Sequence, residues 1–67
     1  MEITINGLKR TLDSSNMVLK DLLKLYSLES GNLVIECNSK IVNIEEYGSF
    51  QIADNDILNI FSFVGGG

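Results

Sequence analysis

The sequence predicts an α+β domain in which a mixed sheet of four or five strands carries one helix across one face. Three observations predict it. An opening segment alternates apolar and polar residues and runs into Asn6-Gly7, the strongest short hairpin signal. One stretch, Val18 to Tyr26, repeats its apolar residues at helical spacing. The remainder is short apolar runs broken by Asn- and Asp-rich turns, and the longest run, Ile57 to Val64, comes last.

In order, Met1-Glu2-Ile3-Thr4-Ile5 turns Ile3 and Ile5 toward a core and Glu2 and Thr4 toward water. Asn6 and Gly7 both accept positive φ, so the chain reverses there into a return strand, Leu8 to Leu12. Leu8 and Leu12 share a parity with Arg10 between them, which suits an edge or near-edge strand. Asp13-Ser14-Ser15-Asn16 is a cluster of turn and cap residues, and Ser15 or Asn16 is expected to cap the helix that follows. Val18, Leu19, Leu22, Leu23 and Tyr26 form that helix's apolar stripe, with Lys20, Asp21 and Lys24 on the wet face. The helix is expected to run about three turns and to end at Gly31-Asn32; at that length it needs a sheet beneath it. Leu33 to Cys37 reads as a third strand, Asn38-Ser39-Lys40 as a turn, and Ile41-Val42 as a short fourth strand. Asn43 to Phe50 reads as irregular, with one helical turn at Glu45-Glu46-Tyr47 stopped by Gly48. Asp54-Asn55-Asp56 is a polar turn into the last strand.

The chain has 67 residues, 45% of them hydrophobic and 21% charged, and no proline, which describes one small folded domain. The expected division is a domain over 1–64 and a glycine tail over 65–67. A core this thin leaves little mass for an elaborate catalytic pocket, so an enzyme is not expected. The net charge is −4, and Lys9, Arg10, Lys20, Lys24 and Lys40 are scattered rather than gathered in a stripe. Nucleic-acid binding, which neutralises phosphates with clustered Lys and Arg, is not expected. An acidic surface suits docking on a partner with a basic face. The sequence has no histidine, the usual general base and commonest metal ligand. Cys37 is alone, so a reducing cytoplasm is the expected compartment. No apolar run approaches the ~20 residues that span a bilayer, and the opening residues lack the pattern of a secretory signal.

Four features could carry chemistry. Glu45-Glu46 and Asp54 with Asp56 could act as acid–base groups or Mg²⁺ ligands, but they read more simply as a solvated loop and a self-bonded turn. Cys37 shares the core parity of Leu33 and Ile35, which makes it a small buried hydrophobe rather than a reactive thiol. In the last strand Leu58 and Ile60 share one parity, and Ile57, Phe61 and Phe63 the other. A single helix covers one sheet face, so Phe61 and Phe63 are expected on the open face as a partner site. The fourth feature is Val64-Gly65-Gly66-Gly67. A tail with no side chains to bury is expected to be mobile and slim enough to thread a channel in another protein. Extended, its four residues reach about 13–14 Å and would deliver the Gly67 carboxylate into a partner's active site. That carboxylate, with an ordinary pKa near ~3.5, is ionised and needs activation, for which a mixed anhydride with AMP is a common route.

These features together resemble the ThiS family, the small sulfur carriers of thiamine biosynthesis with the β-grasp (ubiquitin-like) fold. The resemblance rests on Val-x-x-x-Leu-Leu at Val18 to Leu23, Asn-x-x-Ile-Val at Asn38 to Val42, the Asp54-to-Asp56 turn, and Phe61 to Gly67. It implies a protein cosubstrate with no bound cofactor or metal. An E1-like, ThiF-type partner would adenylate Gly67 using ATP and Mg²⁺. A cysteine desulfurase relay would supply the persulfide sulfur that makes the thiocarboxylate, and a ThiG-type thiazole synthase would accept that sulfur into the thiazole ring. On this reading Gly65 and Gly66 thread the partners' sites, Phe61 and Phe63 lie on the partner-facing strand, and sulfur sits on Gly67 rather than Cys37. The chain departs from the pattern at Val18, where a small hydroxyl residue would cap the helix, and in having three closing glycines. A sister carrier resembling the MoaD subunit of molybdopterin synthase would use the same tail chemistry, although members of that group tend to be longer. A ubiquitin-like modifier or a passive binding module is the alternative of a different kind.

Overall fold

Strand β1 (Glu2–Ile5) turns at Asn6-Gly7 into β2 (Leu8–Thr11). The computed structural model describes residues 1–28 and 33–62. Asn6 and Gly7 have φ of 50° and 83°, both positive, as the twist of a two-residue hairpin demands. The pairing is antiparallel and in register from Glu2↔Thr11 to Ile5↔Leu8. It is prolonged by the Leu12 N–H donating to the Met1 carbonyl at 2.8 Å, and this turns Leu12 into the core.

After β2, Met17–Val18 forms a short strand, β3, and the helix α1 (Leu19–Leu25) follows at once. The expected stripe is present, with Leu19, Leu22 and Leu23 buried, but the helix is seven residues, about two turns. Its start corrects the sequence expectation. Neither Ser15 nor Asn16 caps it; Val18 stands at the N-cap and makes no side-chain cap bond. The hydroxyl of Ser14 instead closes a local turn, accepting from the Asn16 N–H at 3.1 Å and donating to its carbonyl at 2.8 Å. Free helix N–H groups find main-chain partners: Leu19 donates to the Phe50 carbonyl and Lys20 to the Tyr47 carbonyl, each at 2.8 Å. A distant loop does the work of a cap residue.

The helix also ends earlier than expected; Gly31-Asn32 lies outside the described residues. Ser27 takes a left-handed φ of 57°. The Leu28 N–H bonds the Leu23 carbonyl at 2.7 Å and the Ser27 N–H the Lys24 carbonyl at 3.1 Å, a Schellman closure with serine where glycine is usual.

The chain then forms β4 (Leu33–Cys37) and β5 (Lys40–Val42), a 3₁₀ turn over Ile44–Glu46, β6 (Gln51–Ile52) and β7 (Ile57–Ser62). The main sheet has five strands in the order β2-β1-β7-β4-β5; β3 and β6 make a separate two-stranded sheet, antiparallel, which the sequence reading left unassigned. β7 is central, parallel to β1 and antiparallel to β4, so the sheet is mixed and β2 is an edge strand. Ile3, Ile35 and Leu58 of the sheet and Leu19 and Leu22 of the helix are the largest fully buried side chains. The exposed Arg10 guanidinium lies 5.6 Å from the centre of the Tyr26 ring, and Tyr26 itself packs against the core.

The β4–β5 turn holds Asn38 at φ 52° and Ser39 at φ 72°. Serine is strained in this region and glycine is not. Ser39→Gly is expected to raise the unfolding free energy by about 1 kcal/mol, read as a higher urea midpoint with unchanged slope. An unchanged or lower midpoint would show that the turn carries no such strain.

Candidate functional site

The central strand has two unlike faces. Leu58 and Ile60 are buried on the helix side, while Ile57 and Phe61 are 52% and 53% exposed on the other. Phe61 stands opposite Val34 of β4, and Asn59 opposite Glu36, which in turn faces Ile41 of β5. Ile41 is 65% exposed. The open face therefore carries Ile57, Phe61, Val34 and Ile41 around the half-buried Glu36. The sequence reading found Phe61 and Ile57. It missed Ile41, whose signal was there: in a short strand beside the core residue Val42, Ile41 has the opposite parity.

β7 outruns its parallel neighbour. Pairing with β1 covers Thr4↔Ile57 and Ile5↔Leu58, whereas pairing with β4 continues to Leu33↔Ser62. Past the end of β1 the side chain of Asn6 takes over. Its Oδ1 accepts from the Ile60 N–H at 2.7 Å and its Nδ2 donates to the Ile60 carbonyl at 3.1 Å. At the strand's start Asn38 does the same on the β4 side. Its N–H donates to the Ile57 carbonyl at 2.8 Å, and its Oδ1 accepts from the Ile57 N–H at 3.0 Å. Two turn asparagines thus grip the strand that leads to residues 63–67. Phe63, Gly65, Gly66 and Gly67 lie outside the described residues.

Among the described residues, Asp56 is the buried acidic side chain. Its Oδ2 accepts from the Ala53 N–H at 2.8 Å, closing the Asp54-Asn55-Asp56 turn, and its Oδ1 accepts from Asn38 Nδ2 at 3.0 Å. Asp54 reaches across the fold rather than locally, its Oδ1 accepting from the Glu2 N–H at 2.7 Å. Both carboxylates are therefore engaged with backbone. Glu45 and Glu46 are exposed on the 3₁₀ turn, and no group of three His, Cys, Asp or Glu able to hold a metal occurs among the described residues. Cys37 is buried. Burial, then the charge of Asp56, then a hydrogen bond to that carboxylate push its thiol pKa up to about 11, so the nucleophilic thiolate is scarce at neutral pH. Among the described residues no helix is long and apolar enough to cross a membrane.

The family model described as "ThiS family" matches residues 3–67. The chain belongs to the ThiS family. Within it, the chain is 32% identical over 65 residues to the sulfur carrier protein ThiS of Bacillus subtilis, covering 97% of this chain and 98% of that one. The crystal structure of the thiamine biosynthesis protein ThiS from Geobacter metallireducens superposes with a TM-score of 0.88 at 25% identity, covering both chains completely. This agreement confirms the ubiquitin-like β-grasp fold. The whole chain also matches part of a thiazole synthase of Paramagnetospirillum magneticum at 34% identity over 67 residues, which is 20% of that protein's length.

Proposed function

We propose that this chain is the sulfur carrier for thiazole formation in thiamine biosynthesis, a cosubstrate in a reducing cytoplasm rather than a catalyst. The observation that carries the reading is the end-to-end ThiS-family match, which runs through the closing glycines to Gly67. The match to a segment of a thiazole synthase supports that enzyme class as a partner.

The chemistry follows from the group at stake. A terminal carboxylate, ionised at neutral pH, is a poor electrophile. A ThiF-type enzyme joins it to the AMP portion of ATP with Mg²⁺, releasing pyrophosphate. A sulfur nucleophile from a cysteine desulfurase relay then attacks the Gly67 acyl carbon and AMP leaves. The product is an acyl disulfide; a second thiol, the two-electron reductant, cleaves its S–S bond and is left as a disulfide with the relay cysteine, so that the carbon keeps sulfur in place of one oxygen, and a ThiG-type synthase takes that sulfur. Gly65 and Gly66 let the tail enter sites that side chains would block. Phe61, with Phe63 beyond it in sequence, offers aromatic area on the open face for both docking steps. Cys37, buried and held protonated, keeps its own sulfur out of the exchange.

Incubation with a ThiF-type enzyme, ATP, Mg²⁺, a persulfide donor and a thiol reductant is expected to add about 16 Da, one oxygen replaced by sulfur. One residue appended after Gly67 is expected to abolish the gain, and transfer to a thiazole synthase rather than a pterin acceptor is expected to restore the original mass. An unchanged mass beside a homologous carrier that the same enzyme converts would overturn the reading.

A further inference from the structure

Asn6 combines two properties that bear on each other. It precedes Gly7, which has no side chain of its own, and a Cβ built on Gly7 would meet nothing within 4 Å. Its side-chain amide is also committed at both atoms, Oδ1 to the Ile60 N–H at 2.7 Å and Nδ2 to the Ile60 carbonyl at 3.1 Å. We propose that Asn6 is a site of hydrolytic deamidation, guarded by this clamp in the folded protein and irreversibly damaging to it once modified.

In the reaction, the deprotonated Gly7 nitrogen attacks Asn6 Cγ. A C–N bond forms, the Cγ–Nδ2 bond breaks and ammonia leaves. Water then opens the five-membered imide at either carbonyl. The sum is side-chain amide plus water giving carboxylate plus ammonium, with no redox change. In the fold, both atoms of the amide are bonded to Ile60, and attack requires that these bonds be given up. The reaction therefore draws on molecules whose hairpin has opened.

The product cannot re-form the clamp. A carboxylate offers two acceptors, so wherever one oxygen takes the Ile60 N–H, the other faces the Ile60 carbonyl. The turn itself tolerates aspartate, because Asp-Gly suits this hairpin as Asn-Gly does. The penalty is confined to the bond across to β7. Where the imide opens to the β-linked isomer, the extra backbone carbon also shifts the Ile5↔Leu8 register. Either product weakens the hold on β7 at Ile60, on the side where β1 has already ended.

Ageing the full chain in mildly alkaline buffer, with and without denaturing urea, tests the proposal by peptide mass mapping. The expected modification is a gain of about 1 Da on the peptide containing Asn6, at least about tenfold slower in the folded protein. The Asn6→Asp variant is expected to unfold with an equilibrium constant raised about tenfold or more over the parent. Equal ageing rates with and without urea would overturn the guarding role. An Asn6→Asp variant as stable as the parent would overturn the damage. Should that variant not fold, the aged parent separated by charge supplies the same stability comparison. Neither readout involves sulfur transfer, so these outcomes are independent of the carrier reading.

Discussion

Truncating Leu58 to alanine is expected to lower the unfolding free energy by about 3–4 kcal/mol. Leu58 is wholly buried in the central strand, between Ile5 of β1 and Cys37 of β4, in the core cluster that includes Leu19 and Leu22 of the helix. The change removes apolar contact and leaves a cavity in the middle of the sheet, where neighbours on both sides are fixed by hydrogen bonds and cannot collapse inward. A domain of this length has roughly 3–10 kcal/mol in total, so the loss takes about a third of it or more. The comparison is Phe61→Ala, three residues along the same strand but on the open face, expected to cost about 1 kcal/mol or less. Urea denaturation of the two variants checks both values. Equal losses would mean that the two faces of β7 are not differently buried.

Asp56→Asn is expected to cost about 2 kcal/mol despite near-identical shape. The polarity of the network is fixed from outside. The Ile57 N–H donates to Asn38 Oδ1, which leaves Asn38 Nδ2 pointing as a donor at Asp56 Oδ1, and the Ala53 N–H donates to Asp56 Oδ2. Position 56 must therefore accept twice. An amide accepts once, and its NH₂ faces another donor whichever way it is turned. The same substitution lowers the Cys37 pKa from about 11, because two of its three causes are removed, while burial, the largest, keeps it above the ordinary 9.0. The rate of thiol alkylation against pH reads this directly. The linkage has a definite sign. A thiol whose pKa is raised on folding contributes stability that is complete below about pH 9, and that is lost as pH rises through about 11. The wild-type protein should therefore lose stability across that window, and Cys37→Ala should lose less. A parallel fall in both would detach the alkaline loss from Cys37.

The legible parts of the fold share a cause. Ile3, the Asn6-Gly7 hairpin, the Leu19-Leu22-Leu23 stripe and the two parities of β7 follow from local geometry, in which a period of two or 3.6 residues places neighbours on one face. The helix start was not legible, because carbonyls of Tyr47 and Phe50, distant in sequence, perform the capping. The β3–β6 pair was not legible either: two residues a side are too few for a periodic signal. At the candidate site, the exposure of Phe61 could be read from parity, and Ile41 could have been.

The order of residue types by itself determined the order of the helix and the five main-sheet strands, their buried faces and the family, since each is written in local spacing and motif. Tertiary structure alone decided which groups serve at a distance: Asn6 and Asn38 as grips on β7, Asp54 as a partner for the Glu2 N–H, and Asp56 as the double acceptor for Asn38 Nδ2 and the Ala53 N–H. The physical reason is that a polar side chain's role is set by whichever unpaired main-chain group the fold brings within about 3 Å, and no local pattern records that encounter.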